Sequence, residues 1–307
     1  MTQTADTSKD LGKAPVTART LSVQAQAGIE KQRAEARQEA DKILDREAIA
    51  VIEETQRAID AIAANTTSEA LAALERASGK IDILLARNPS TALIPVSHEV
   101  VVFDTAPQDI QAIDKIGEAV DAVIASEDYP AARELLYGLM SELRVRTYHL
   151  PLATYPAALA EAARLLDQKK SDEARIVLMM ALGTLLAIDQ VTPLPLLVAR
   201  EAIKQAEAQR DKDDKDKEIT LALLDTARYE LDRAMALGYW AQEPEYTTMK
   251  DEISNIQKQL KTNEDTSSFF SKLQDRLSAF TARLSKSKQS RHDESQPKQS
   301  QPEKRAA

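Results

Sequence analysis

Cysteine is absent from the 307-residue chain, which excludes disulfides, thiolate nucleophiles and cysteine-ligated zinc sites. Glycine is scarce, with seven residues, and those in the predicted folded part stand singly. No glycine-rich loop is therefore available to cradle a phosphate. Aromatic residues make up only 4% of the chain, whereas Ala, Leu, Glu, Lys, Gln and Arg dominate. These dominant residues are strong helix formers, so the composition predicts an all-α protein.

The charge balance is acidic, with 40 basic and 49 acidic residues and a formal net charge of −9. Nucleic-acid binding requires a clustered basic surface, so we expect no nucleic-acid partner. Long apolar runs are missing too, because no window approaches the roughly 18 consecutive apolar residues of a membrane span. The opening residues are polar and lack the apolar core of a secretory signal. The chain as written is therefore expected in the cytoplasm.

The pattern of apolar residues predicts one helical domain with polar ends. Residues 1–27 carry too little apolar surface to offset the entropy of ordering and are predicted to be disordered. The helical domain covers residues 28–260, and an amphipathic tail helix follows at 261–285. Residues 286–307 are rich in Ser, Gln and Lys and are predicted to form a disordered tail.

Within this domain, apolar residues recur at three- and four-residue spacing, the period of an amphipathic helix. One long helix is predicted over residues 28–63, and another over 172–188, before a proline break at 192–195. Three apolar stripes stand out. The first consists of Leu44, Ala48, Val51, Thr55, Ile59 and Ile62, the second of Tyr246, Met249, Ile253, Ile256 and Leu260, and the third of Phe270, Leu273, Leu277, Phe280 and Leu284. The first two stripes predict self-association.

The third stripe belongs to the tail helix, where it is flanked by basic side chains. A basic amphipathic helix can dock on its own protein, on another subunit, on a client or on an anionic membrane surface. We favour docking within the assembly, because burying a Phe or Leu side chain contributes about 1.5–3 kcal/mol. Contact with a membrane surface is the less favoured alternative. The basic residues are Lys272, Arg276, Arg283 and Lys286.

Two segments depart from the helical period. HEVVVFD, within residues 93–104, and RVRTYHL, at 144–150, alternate and are rich in β-branched or aromatic residues. We predict that residues 100–103 pair in antiparallel fashion with 145–148. Because two strands alone are marginally stable, helices are expected to cover them.

An internal repeat is visible along the chain. Residues 68–89 align with 172–193, and 129–151 follow the same pattern more loosely, each segment ending on proline. We interpret each unit as a helix, a polar turn, a second helix and a proline exit. The predicted fold class is therefore mostly all-α, a bundle of repeated αα-hairpins with a small two-stranded antiparallel β element.

The two histidines of the predicted folded part, His98 and His149, lie at the edges of the predicted strands. If the strands pair, both imidazoles could approach Glu99 and Tyr148 and form a polar site that titrates near pH 6. The alternative is two unrelated histidines, which we favour. The spacing does not match a helical zinc site and no third ligand is indicated, so no metal, cofactor or catalytic residue is predicted.

Two further groups of residues are open to two interpretations. Glu142, Arg144 and Arg146 could form an ion-pair array, although a solvated face is the default. Met179, Met180 and Leu182 are interpreted as core residues rather than an adaptable client groove, although methionine suits either role.

Several blocks, taken in order, resemble the YfdX family of bacterial proteins over residues 48–260. The resemblance implies a mostly helical, self-associating protein linked to tolerance of acid, heat and other stress, with proposed chaperone-like protection and no established catalytic activity. It offers no catalytic residues to transfer. The blocks are LLARNPSTALIPV at 84–96, YHLPLATYPAAL at 148–159, ARLLDQKKSDEA at 163–174, PLPLL at 193–197 and LLDTARYELDRAMALGY at 223–239.

The function predicted on these grounds is that of a non-enzymatic, self-associating stress-tolerance protein that protects unfolding clients. A structural or scaffold protein that binds a specific partner is the alternative. A small enzyme that uses His98 and His149, or a pH sensor built on them, is a more distant one. Many proteins of the resembling family look periplasmic, so the periplasm is a second expected compartment.

Overall fold

The computed structural model describes residues 16–209, 214–239, 244–262 and 264–294. This part of the chain is mostly helical, as predicted, with one small antiparallel sheet. The elements in chain order are α1 (Val16–Ile43), α2 (Arg46–Ala63), α3 (Thr67–Arg87), β1 (Leu93–Asp104), α4 (Ile110–Ala125), α5 (Tyr129–Tyr137), β2 (Ser141–Pro151), α6 (Tyr155–Asp167), α7 (Ser171–Gly183), β3 (Leu186–Pro193), α8 (Leu194–Gln209), α9 (Asp214–Ala236), α10 (Glu245–Thr262) and α11 (Ser267–Glu294).

From α2 to β3 the chain repeats one pattern three times: two helices joined by a short turn, then a strand. Each turn contains one residue in the left-handed backbone region, namely Asn65 (φ 60°), Glu127 (φ 59°) and Lys169 (φ 64°). The next residue's N–H donates to the carbonyl five residues earlier, which satisfies a helix-end carbonyl. These bonds join Thr66 to Ala61, Asp128 to Val123 and Lys170 to Leu165, each at 2.9 Å.

The sheet has three strands in the order β1-β2-β3, whereas the sequence predicted two. Leu152 N–H donates to the Ala92 carbonyl and Thr105 N–H to the Met140 carbonyl, each at 2.9 Å. These bonds place residues 100–103 opposite 141–145. The predicted antiparallel pairing of the two segments is therefore confirmed, with its register displaced by about three residues along β2.

The third strand overturns part of the predicted helix over 172–188. Helix α7 ends at Gly183, and residues from Leu186 to Pro193 form β3 instead. The interpretation of 172–193 as a repeat of 68–89 fails at the same point, because α3 continues as one helix to Arg87. Residues 186–193 instead pair with the edge of β2 that β1 does not occupy.

The predicted long helix over 28–63 is also divided. The Asp45 side chain accepts hydrogen bonds from the N–H groups of Glu47 (2.8 Å) and Ala48 (3.2 Å), which caps α2 and separates it from α1. Helix α1 begins at Val16, so the described part of the N-terminal segment predicted as disordered is helical. Likewise α11 continues to Glu294, beyond the predicted tail boundary, while residues 1–15 and 295–307 lie outside the described residues.

The described residues divide into two compact units, and the predicted domain over 28–260 is shared between them. Unit 2 draws on Arg33–Phe103 and Glu142–Thr192. Its hairpins pack helix on helix, α2 against α3 and α7, and α6 against α3 and α7. Tyr155 is fully buried at their centre, where its hydroxyl donates to Thr55 Oγ1 at 3.1 Å.

Unit 1 draws on Asp104–Ser141 and Pro193–Thr281. Helix α9 packs against α4, α8 and α10. The stripe of α10 is buried within this unit, as are Phe270, Leu273, Leu277 and Phe280 of the α11 stripe. The side chain of Leu284 lies outside the described residues. The rings of Tyr246 and Phe280 meet edge to face at 5.3 Å. Helix α9 ends, as predicted, with Gly238 in the left-handed region (φ 76°).

Candidate functional site

The two histidines named by the sequence have different surroundings. The Nε2 atom of His98 lies 3.7 Å from Asp41 Oδ1 of α1, and the residue lines a recess that it shares with Glu99. The Nδ1 atom of His149 lies 3.1 Å from the Thr147 carbonyl oxygen of the same strand. The described residues therefore show no shared partner for the two imidazoles.

The protonation of His149 is shaped by its position between two strands. Burial lowers the pKa of His149, and the backbone of Leu186 in β3 and of Thr147 in β2 oppose this effect. The neutral imidazole is thus favoured in the folded chain. The contact of Nδ1 with the Thr147 carbonyl ties the imidazole to the backbone of β2.

The ion-pair array that the sequence offered as the alternative to a solvated face does form, and it includes a residue that the sequence did not indicate. The Arg146 guanidinium donates to both carboxylate oxygens of Asp189 on β3, at 2.7 and 2.8 Å. Arg144 pairs with Glu142 and stacks over the Phe103 ring, with 4.7 Å from Cζ to the ring centroid. The array joins all three strands, so it stabilises the sheet rather than presenting free charge. No sequence signal identified Asp189, because β3 was not predicted.

A second ionic network lies in unit 1, where the sequence suggested none. Arg233 is buried and pairs with Glu230 at 3.4 Å and Asp104 at 3.7 Å. It also donates to the Pro107 carbonyl at 3.1 Å. Burial raises the pKa of Glu230, while Arg233 opposes this shift. A buried pair with this many backbone partners fixes the chain entering α4 against α9.

An exposed apolar stripe runs along α7. Ile176, Met179 and Met180 are 52%, 52% and 67% exposed. The two methionines lie three and four residues after Ile176, so all three share one side of the helix. The opposite side, with Ala174 and Leu178, is buried. The interpretation of this cluster as core is therefore wrong for the two methionines, whereas Leu182 is partly buried against the core. Helix α7 is apolar on both faces, and the sequence does not show which face meets the core.

Within residues 16–209, 214–239, 244–262 and 264–294, no group of three or more His, Asp or Glu side chains is arranged to hold a metal ion. The same residues contain no helix that is long and apolar enough to cross a membrane. Among the described residues, the surfaces open to a ligand include the α7 stripe and the recess at His98.

A family model described as YfdX protein matches residues 51–191, from α2 to β3. This match confirms the resemblance to the YfdX family over residues 51–191. The YfdX match covers the three repeats of two helices and a strand, and it ends before α8. A crystal structure of YfdX from Salmonella Typhi is similar at 13% identity and a TM-score of 0.33, covering 49% of this chain and 93% of that one. No curated protein matches the sequence.

Proposed function

We propose that this chain is a non-enzymatic, self-associating protein that protects unfolding client proteins under acid or heat stress. The observation that carries the proposal is the exposed stripe of Ile176, Met179 and Met180 on α7. Partly unfolded clients expose apolar segments of varied sequence. A stripe that binds them needs apolar surface without a strict shape requirement.

Methionine supplies such a surface. Its unbranched side chain has three rotatable bonds and a polarisable sulfur, so it adapts to partners of different shape. Large exposed apolar side chains at consecutive turns of one helix are uncommon on a protein that has no partner. The stripe lies within the family-matched part of the chain, which links the proposal to the family.

Self-association is supported by the helices α4 and α5 of unit 1. Helix α4 is strongly apolar, yet its fully buried residues are Ile113 and Val120 alone. Ile124, Leu136 and Tyr137 of the same hairpin are exposed. The stripes in α2 and α10 that predicted self-association are instead buried within the chain. We therefore place the contact between copies at α4 and α5.

The client role is tested by light scattering of a heated model substrate with increasing amounts of the full chain. The triple variant Ile176→Gln, Met179→Gln and Met180→Gln keeps good helix formers on α7 while removing the apolar surface. Fully burying one such side chain contributes about 1.5–3 kcal/mol. We expect half-suppression of scattering to require roughly tenfold more of the variant.

The matched control is Ile83→Gln on α3, because Ile83 is also an exposed apolar residue of unit 2 but lies outside the stripe. This control is expected to suppress scattering as the parent chain does. If the parent chain leaves scattering unchanged, the scaffold alternative replaces client protection. If the triple variant and the parent suppress equally, the stripe is not the client surface.

Self-association has a separate test. Sedimentation velocity on the Ile124→Gln, Leu136→Gln double variant should show a smaller assembly than the parent chain at equal concentration. A parent chain that sediments as a monomer at all concentrations would contradict this part of the proposal.

A further inference from the structure

A recess of about 440 Å³ in unit 2 lies between α1 and β1. Arg33 and Arg37 of α1 form one wall, and the other is formed by five consecutive residues of β1, from 98 to 102. Successive side chains of a strand point to opposite faces of its sheet. A recess lined by five consecutive strand residues therefore runs along the edge of the strand rather than over one face.

This edge of β1 has no neighbouring strand in the described sheet, because the strand order is β1-β2-β3. The Pro95 carbonyl accepts a hydrogen bond from Asp45 N–H at 3.1 Å, so the backbone of Pro95 faces outward. Backbone groups alternate in direction along a strand. The N–H and C=O groups of Glu99 and Val101 consequently face the recess.

The opposite wall supplies positive charge. Arg33 and Arg37 are four residues apart in α1, so their side chains extend from the same side of the helix. His98 and Asp41, with 3.7 Å between Nε2 and Oδ1, lie at the end of the recess nearer Asp45. Two arginine side chains thus line the recess opposite the outer edge of β1.

We propose that this recess binds an extended peptide segment that carries an acidic side chain. The peptide adds to the outer edge of β1 through backbone hydrogen bonds with Glu99 and Val101. Its carboxylate is held by the guanidinium groups of Arg33 and Arg37, which match carboxylate geometry. Residues 98–102 span about 13 Å at roughly 3.3 Å per residue, which suits a peptide of about five residues.

This site is independent of the α7 stripe. Client protection through Met179 and Met180 is non-specific and apolar, whereas the recess at β1 selects backbone conformation and charge. The failure of either proposal leaves the other standing, because the two tests use different variants and different readouts.

The test uses the full chain and a dye-labelled peptide of sequence Thr-Glu-Val-Glu-Val-Thr, followed by fluorescence anisotropy. We expect saturable binding that becomes roughly tenfold weaker in Arg37→Gln, because a hydrogen bond to a charged group is lost. Arg33→Gln should weaken binding similarly. The matched control Arg87→Gln removes an exposed arginine of unit 2 outside the recess and should leave affinity unchanged.

Two further probes separate strand addition from simple attraction of charge. A peptide with both Glu replaced by Gln should bind weakly, and a peptide with methylated backbone nitrogens at alternate residues should also lose affinity. The proposal is overturned if Arg37→Gln binds the peptide as the parent chain does. It is also overturned if the methylated peptide binds equally well, or if inorganic phosphate at equal concentration displaces the peptide completely.

Discussion

Replacing Lys169 with glycine should stabilise the chain, although the change removes a side chain. Lys169 lies in the turn between α6 and α7 with φ 64°, a region in which the Cβ atom crowds the following carbonyl oxygen. Its side chain is exposed, so little packing is lost. The backbone bond from Lys170 N–H to the Leu165 carbonyl, at 2.9 Å, does not involve the side chain and is retained.

The magnitude follows from two opposing contributions. Relief of the left-handed conformation gains about 1–2 kcal/mol. Glycine gives the unfolded chain more conformational freedom, which costs about 0.4–1 kcal/mol. The net expectation is a gain of roughly 0.5–1 kcal/mol in the free energy of unfolding, or an increase of about 1–3 °C in Tm.

The assay is urea unfolding followed by helical circular dichroism, with calorimetry as a second measure. Glu127→Gly, at the equivalent position between α4 and α5, should behave like Lys169→Gly. Asn65→Gly should change stability little, because asparagine tolerates this backbone region. Lys169→Ala is the decisive control, since alanine keeps the Cβ atom and should bring no gain.

Equal stabilisation by Lys169→Ala and Lys169→Gly would refute the argument from backbone strain. It would show instead that the charge of the lysine, and not its conformation, disfavours the fold. Loss of stability in both Lys169→Gly and Glu127→Gly would contradict the left-handed turns themselves.

Other expectations concern the buried polar groups and the tail helix. Because burial lowers the pKa of His149, the unfolded chain binds a proton at this imidazole more readily than the folded chain does. Stability should therefore decline as pH falls below about 6.5. Urea midpoints at pH 7, 6 and 5 should show a weaker decline in His149→Gln than in the parent chain, whereas His98→Gln should decline as the parent does. Burial raises the pKa of Tyr155 to about 12, and Tyr155→Phe should cost about 1 kcal/mol in urea unfolding through loss of the bond to Thr55. Phe280→Ala should cost about 3–5 kcal/mol in the same assay, whereas a tail helix that does not pack on unit 1 would show almost no loss.

The helical pattern of the chain follows largely from the sequence. The stripes of α2, α10 and α11 have the helical period, and their members within 48–62, 246–260 and 270–280 are buried in unit 2 or unit 1. An apolar stripe must meet some other surface, so its burial is readable from spacing. Its partner is not readable, because the same stripe suits another subunit equally well. This is why two of these stripes predicted self-association and are instead buried within the chain.

The pairing of β1 with β2 was also predictable, because both segments alternate and both are rich in β-branched or aromatic residues. The third strand was not. LAIDQVTP, in β3, has little alternation and follows directly on a helix, so local preference favours continuing that helix. Contacts across the sheet decide otherwise, among them the two hydrogen bonds from Arg146 to Asp189.

The features of the candidate sites likewise divide into those that follow from the sequence and those that follow from the tertiary structure. The sequence by itself determined that this protein offers no thiol, no glycine-rich phosphate loop and no spaced metal ligands, since those depend on residue type and local spacing. Only the tertiary structure decided that Met179 and Met180 are exposed and that Arg33 and Arg37 face the edge of β1. Both outcomes depend on which face of a helix packs against residues far away in the chain, and local periodicity carries no information about that choice.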